Sequence, residues 1–340
     1  GVYPIKVNQQ CHVVEEIADF GCQYQHGFEV GSKAELIIAL SQQRNHDGLI
    51  VCNGYKDTEF VELSLFAREI GIRCILVLET AAELPIVLEC SSRLGIEPLI
   101  GVRIRSTVQV EGHWEKDSGD RSIFGLSSSV LMDIVETLRQ ANRLHCLQLL
   151  HCHLGSQIPN IRNIRDGVLE VCRYYSGLIA EGAPMGYLDI GGGLAVDYEG
   201  ASTNSEHSMN YQLDEYCINV VETIRESLDP LGIPHPVIVS ESGRATIAYS
   251  SMLLFNILEV RDHQSPPLPA TLPDKASEML HHLLEVHSNV GKDNIQECYN
   301  DALYYRDQIR SRFLNGQCSL SDRALADDIN LAILGRIAQL

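Results

Sequence analysis

Eight short apolar runs recur along the chain, with longer stretches of helical period between them, and this alternation limits the fold more than any other feature. The runs are Val2 to Val7, His26 to Val30, Gly48 to Asn53, Arg73 to Leu78, Pro98 to Ile104, Cys146 to His153, Gly186 to Ile190 and Pro236 to Glu241. The helical stretches fall at about His12 to Phe20, Ser32 to Gln43, Asp57 to Ile70, Thr80 to Leu94, Ser127 to Asn142, Asn163 to Glu181 and Gln212 to Leu228. Ser32 and Ser127 serve as N-caps, and Gly71, Gly95 and Gly182 as stops. Such repetition is the pattern of an α/β fold with parallel strands. Eight units read best as a TIM (β/α)8 barrel, whose chemistry gathers at the C-terminal strand ends.

Those ends are polar almost without exception: Lys6, Glu29, Asn53, Glu79, Arg103, His151 with His153, Gly191 to Gly193, and Glu241 with Arg244. A doubly wound open sheet ranks second, because it would not spread functional groups over every strand end. After the barrel, Ser251 to Val260 forms one more apolar run, and Pro266, Pro267, Pro269 and Pro273 mark a linker. Three helices follow, near Asp274 to Val290, Lys292 to Leu314 and Leu320 to Leu340, the last opened by Ser319 and Asp322. The expected division is a barrel over 1–260 and a helical appendage over 261–340.

The apolar run Leu188-Asp189-Ile190 leads straight into Gly191, Gly192 and Gly193, where backbone N–H groups can converge on a phosphate with no Cβ in the way. Lys6 closes the first run, and a lysine at a barrel strand end can be desolvated enough to lower its pKa and attack a carbonyl. On position alone it reads equally well as a rim lysine. Together the two features suggest a phosphorylated carbonyl compound held as a Schiff base. His151 and His153 alternate, so both point to one side of a strand; no third metal ligand is evident, and one ring packing on a planar cofactor suits the pattern better than a metal. Glu241, Gly243 and Arg244 place a carboxylate, a glycine and a guanidinium at one strand end, suited to a protonated ring nitrogen and a phosphate; alone they read as a rim salt bridge. Arg103, between Val102 and Ile104, needs a partner in the barrel mouth, and Glu29 could compensate Lys6.

The chain has 340 residues, 26 basic and 45 acidic for a net charge of −19, and no basic cluster able to track a nucleic-acid backbone. Nucleic acid is therefore not expected as a partner, and a cationic small substrate is favoured. Eleven irregularly spaced cysteines read as reduced thiols of a cytoplasmic protein, and no apolar run reaches membrane-spanning length. Because the chain opens on Gly1, it reads as a piece of something longer.

Together these motifs resemble the fold-type III pyridoxal-phosphate decarboxylases, and within them the biosynthetic arginine decarboxylases. The resemblance rests on Tyr3 to Gln9, Phe28 to Lys33, Val51 to Asp57, Leu147 to Ile158, Leu188 to Tyr198 and Glu241 to Arg244, and on the helical tail. It implies a barrel of the alanine racemase-like type, pyridoxal 5'-phosphate as cofactor, and decarboxylation of L-arginine to agmatine and carbon dioxide in putrescine and spermidine biosynthesis. By that resemblance Lys6 bonds to the cofactor, His153 stacks on its ring and Glu241 meets the ring nitrogen. Ser156, Gly191, Gly192, Gly193, Gly243 and Arg244 surround the phosphate, with Glu29 and Arg103 near the lysine and ring hydroxyl. The stretch Leu188, Asp189, Ile190, Gly191, Gly192, Gly193, Leu194, Ala195, Val196, Asp197 and Tyr198 is associated with substrate. The resemblance also implies magnesium, for which no site can be placed, a homo-oligomer of at least two subunits, and a C-terminal β-domain lying beyond Leu340. Ile123, Ala195 and Val30 depart from the usual lysine, glycine and alanine. Two other readings stay open: a decarboxylase of ornithine or lysine, and a pyridoxal-phosphate-binding piece without turnover. A sugar-phosphate aldolase would share the lysine and the phosphate site but has no use for Glu241.

Overall fold

The computed structural model describes residues 1–44, 47–107, 124–260, 267–269, 271–273 and 276–340. They fall into two compact units, Gly1–Met252 and Leu253–Leu340.

In the first unit eight parallel strands follow one another in chain order: β1 Val2–Pro4, β2 Gly27–Val30, β3 Leu49–Cys52, β4 Arg73–Leu78, β5 Leu99–Arg103, β6 Leu147–His151, β7 Tyr187–Asp189 and β8 Val237–Val239. Val2 N–H donates to Ser240 O at 3.0 Å, joining the last strand to the first and completing a TIM barrel. Outside lie α1 Cys11–Gly21, α2 Lys33–Gln42, α3 Thr58–Glu69, α4 Glu83–Leu94, α5 Ser128–Gln140, α6 Ile161–Ala180 and α7 Leu213–Leu228, with a short α8 Gly243–Ile247 after β8.

Local chemistry sets the helix ends. Ser32 Oγ accepts from Glu35 N–H at 3.3 Å while Glu35 Oε2 accepts from Gly31 N–H at 2.7 Å, so α2 starts from a reciprocal cap. Ser127 Oγ caps α5 by accepting from Val130 N–H, and Gly95 ends α4 in the left-handed region at φ 71°. α4 begins at Glu83, three residues later than its apolar period suggests. The Glu83 carboxylate accepts from Glu79 N–H and Thr80 N–H, which turns the chain before the helix starts. β1 also differs from expectation. It ends at Pro4, which has no N–H to carry the ladder, and Ile5–Val7 form a 3-10 turn, so Lys6 sits on a turn and not in a strand. β6 stops at His151, leaving His153 in the loop beyond it.

Side chains alternate across each strand with period two, which decides what reaches the barrel axis. Val2, Val51, Ile75, Val77, Leu149 and Val239 pack together inside, while Ile50, Cys52, Cys74, Leu76 and Leu150 belong to the larger core that includes helix residues. Two residues beyond each inner aliphatic the same parity places the polar ends: Asn53 after Val51, Glu79 after Val77, His151 after Leu149 and Glu241 after Val239.

In the second unit α9 Glu278–Asn289, α10 Ile295–Leu314 and α11 Leu320–Ala338 pack around Leu280, Leu283, Ala302, Ile309, Ile329 and Ile333. Ser319 Oγ caps α11 by accepting from Asp322 N–H at 3.0 Å. Ser251 to Val260 forms neither helix nor strand, and its large apolar side chains are exposed. The eleven cysteines are all free thiols. Among the described residues no helix is long and apolar enough to cross a membrane.

Candidate active site

The C-terminal strand ends open on one cavity of about 1110 Å³. Lys6, Glu29, Asn53, Arg103, His151, His153, Ser156, Gly192, Gly193, Glu241, Gly243 and Arg244 all line it. Lys6 Nζ lies 3.2 Å from Glu29 Oε2. Burial works against the Lys6 ammonium, but the carboxylates of Glu29 and Glu241 outweigh it, so its pKa is raised. This reverses the sequence expectation of a desolvated lysine with a lowered pKa, because that expectation weighed burial without the two acids.

Asn53 Nδ2 bridges the acids, donating to Glu29 Oε1 at 3.0 Å and to Glu241 Oε1 at 2.9 Å. Glu241 does not pair with Arg244, so the rim salt bridge that their spacing allows is absent. Burial holds the Glu241 carboxyl well above the usual carboxylate range, and the nearby Asp189 charge raises it further. Asp189 is raised as well, again chiefly by burial. Burial likewise pushes His151 down to about 4 and His153 down to about 3, so both rings are neutral at physiological pH. Arg103 finds its partner in Glu79, at 3.1 Å, and Gly54 N–H holds the other Glu79 oxygen at 2.7 Å.

At the other end of the cavity Arg244 Nη2 donates to Ser156 Oγ at 3.1 Å and Nη1 to Tyr198 Oη at 3.2 Å. Gly193 faces it with φ 111°; a Cβ there would meet Ile158 Cδ1 at 2.8 Å. Gly191, with φ 66°, would strike Cys152 O at 2.9 Å, so only glycine fits. Its N–H is already taken by Asp189 Oδ1 at 2.9 Å, and it does not line the cavity. Of the stretch Leu188 to Tyr198 only Gly192, Gly193, Leu194 and Tyr198 reach the cavity. Leu188, Asp189, Ile190, Ala195 and Val196 are buried elsewhere, and Asp197 accepts from Ser208 Oγ and the N–H groups of Ala201 and Ser202. Ala195 has no positive φ and Val30 is fully buried, so both departures are accommodated, while Ile123 lies outside the described residues.

Glu29, His151, Asp189 and Glu241 are each under 5% exposed. Burying an unpaired charge costs several kcal/mol, about what two buried aliphatic side chains contribute. Four buried titratable groups gathered at the C-terminal strand ends mark a functional site.

A model of the pyridoxal-dependent decarboxylase pyridoxal-binding domain matches residues 1–248. This chain belongs to the pyridoxal-dependent decarboxylases. A model of the arginine decarboxylase helical bundle domain matches residues 273–340 of this decarboxylase-family chain. It is 43% identical over 340 residues to the biosynthetic arginine decarboxylase of Synechococcus sp. strain RCC307, covering 100% of this chain and 53% of that protein. It is 44% identical over 334 residues to that of Marinobacter nauticus, covering 96% and 52%. The chain spans about half the length of the curated relatives it matches. The crystal structure of the biosynthetic arginine decarboxylase of Campylobacter jejuni aligns with a TM-score of 0.69 at 28% identity, over 99% of this chain and 56% of that one.

The residues present fit pyridoxal phosphate: an amine, a neutral buried ring, an acid that retains a proton, and an arginine with no carboxylate partner among the described residues beside two glycines. Among the described residues no cluster suited to magnesium is found. The two potential metal clusters among the described residues, Glu97-His145-Cys146 and His151-Asp189-Glu241, each include nitrogen or sulfur, whereas magnesium wants an octahedron of oxygens. Asn53 was visible in the sequence only as a polar strand end, and Asp189 only as part of a glycine-rich stretch; following strand parity two residues past Val51 and Tyr187 finds both.

Proposed function

We propose that the full-length protein decarboxylates L-arginine to agmatine and carbon dioxide with pyridoxal 5'-phosphate, in the cytoplasm, as a step of putrescine and spermidine biosynthesis. The observation that carries this reading is the convergence of Lys6, Glu241 and Arg244 on one cavity, with the helical-bundle match selecting arginine among the basic amino acids. Bound there, the cofactor supplies an electron sink for the bonding pair left when carbon dioxide departs.

The chain's own groups do the rest. Lys6 must shed a proton before its nitrogen can bond to a carbonyl, and Glu29 Oε2, 3.2 Å away, is placed to take it. Glu241 keeps a proton at the cavity floor that a ring nitrogen can share. His153, neutral and buried, offers a flat face that costs no charge desolvation. Arg244, Ser156, Gly192 and Gly193 form the phosphate end. The excess of acid over base favours the cationic substrate. The same reading implies a barrel over 1–260, a helical insertion over 261–340, a following β-domain, and a working oligomer of at least two subunits.

The test is borohydride reduction of the cofactor-loaded protein followed by mass spectrometry, with a pyridoxyl group expected on Lys6 and none in Lys6→Ala. Agmatine is the expected product from arginine; putrescine from ornithine at a higher kcat/KM would reassign the substrate. A pyridoxyl group with no carbon dioxide released by the full-length protein would leave a binding protein.

A further inference from the structure

Two buried side chains beside Glu241 have no part in the chemistry above. His151, at the end of β6, and Asp189, at the end of β7, are fully buried. His151 Nδ1 lies 3.0 Å from Asp189 Oδ2 and 3.6 Å from Glu241 Oε1. Neither ring nitrogen of His151 nor Asp189 Oδ2 makes a hydrogen bond of good geometry among the described residues. Gly191 N–H donates to Asp189 Oδ1 at 2.9 Å, a bond that an amide oxygen would accept equally well. That bond alone therefore does not call for a charge at this position.

We infer that His151 and Asp189 are positioning residues for Glu241: the three hold one proton in common, Asp189 keeps it on Glu241, and a neutral His151 spans both carboxylates so that Glu241 faces the cavity. This rests on the reading of Glu241 as the ring-nitrogen partner. Two carboxylates this close in a dry site do not both ionise. Burial raises both acids, and the Asp189 charge raises Glu241 further while contact with Glu241 lowers Asp189, in keeping with the proton resting on Glu241. The other titratable groups facing the unit are Glu29, Glu79, Lys6 and Arg103 at the mouth, Cys152 and His153 just past β6, and Tyr216 from α7. Glu29 works with Asp189 on Glu241, and Lys6 works against them. Gly191 couples the unit to the glycine run, giving its N–H to Asp189 and accepting from Glu241 N–H at 2.8 Å.

The experiment is calorimetry of pyridoxal 5'-phosphate binding to the full-length protein at pH 7.5 in buffers of different ionisation enthalpy, which counts the protons exchanged. Asp189→Asn starts with less proton on Glu241, so its count moves toward uptake by about 0.5–1 proton relative to the parent. His151→Phe weakens binding by roughly tenfold, and His151→Asn, whose amide nitrogen falls near the lost Nδ1, restores most of it. A proton count for Asp189→Asn equal to the parent's overturns the inference, as do a misfolded Asp189→Asn or a His151→Phe that binds like the parent. A parent that binds no cofactor sinks the underlying reading of the site instead, which separates the two failures.

Discussion

Gly243→Ala is the sharpest mechanical test of how the barrel holds Lys6 in place. Gly243 opens α8 and packs against the first strand and its turn, where an added Cβ would stand 2.6 Å from Pro4 Cγ, 2.7 Å from Val7 Cγ2 and 3.0 Å from Pro4 Cδ. Carbon atoms settle at about 3.5–4.0 Å, so something has to retreat by about 1 Å. The Pro4 ring is rigid and sits in β1, which leaves α8 or the Ile5–Val7 turn to move. Overpacking of this kind costs about 1–3 kcal/mol. At about 2–4 °C per kcal/mol for a barrel of this size, Tm should fall by roughly 2–12 °C. Because the turn carries Lys6, affinity for pyridoxal phosphate should fall with it. Gly177→Ala in α6 is the matched control: nothing lies within 4 Å of its added Cβ, and a helical Gly to Ala change gains about 0.5–1 kcal/mol. Differential scanning fluorimetry on the pair should show shifts of opposite sign. If Gly243→Ala melts at or above the parent, contact with Pro4 and Val7 is not what fixes the lysine.

Two further outcomes follow from the site. Glu241 is held near pKa 8 against an ordinary 4.5, so the stability it contributes is full below 4.5 and is lost as pH rises through 8. His151 and His153, both depressed, act in the opposite sense only below about 6.5. Cofactor-free parent should therefore lose stability between about pH 6.5 and 8.5 while Glu241→Gln loses less, giving the variant an advantage of ~2–4 kcal/mol at pH 8.5 in urea melts; parallel curves would refute this. Arg244→Ala should weaken pyridoxal phosphate by about 10–100-fold, the worth of one or two charge-assisted hydrogen bonds, and leave unphosphorylated pyridoxal within about twofold. Equal losses for both ligands in a binding titration would take Arg244 out of the phosphate end.

Most of the barrel could be read from the chain because a parallel sheet covered on both sides writes its strands as continuous apolar runs. Arg73 to Leu78 is such a run, and its bounds agree with β4 to the residue. Strand ends were less legible where one residue changes the backbone: Pro4 stopped the ladder before Lys6, and Glu83 turned the chain ahead of α4. The five-residue α8 carries no periodicity to detect, although it positions Gly243 against the lysine turn. Motif spacing located Lys6, Glu241 and Arg244, but it could not show that Arg244 turns to Ser156 and Tyr198 and away from Glu241. Nor could it show that the acids around Lys6 outweigh its burial, since that balance depends on distances between strands far apart in sequence.

The closing bond between Val2 and Ser240 is also the seam of the cylinder, where β8 meets β1 outside the paired ladders. Its two staves carry the residues that a single bound molecule would touch at once, Lys6 just past one and Glu241 just past the other. A ligand gripped from both sides of this seam would act as a rivet across it, so that filling the site also fastens the cylinder.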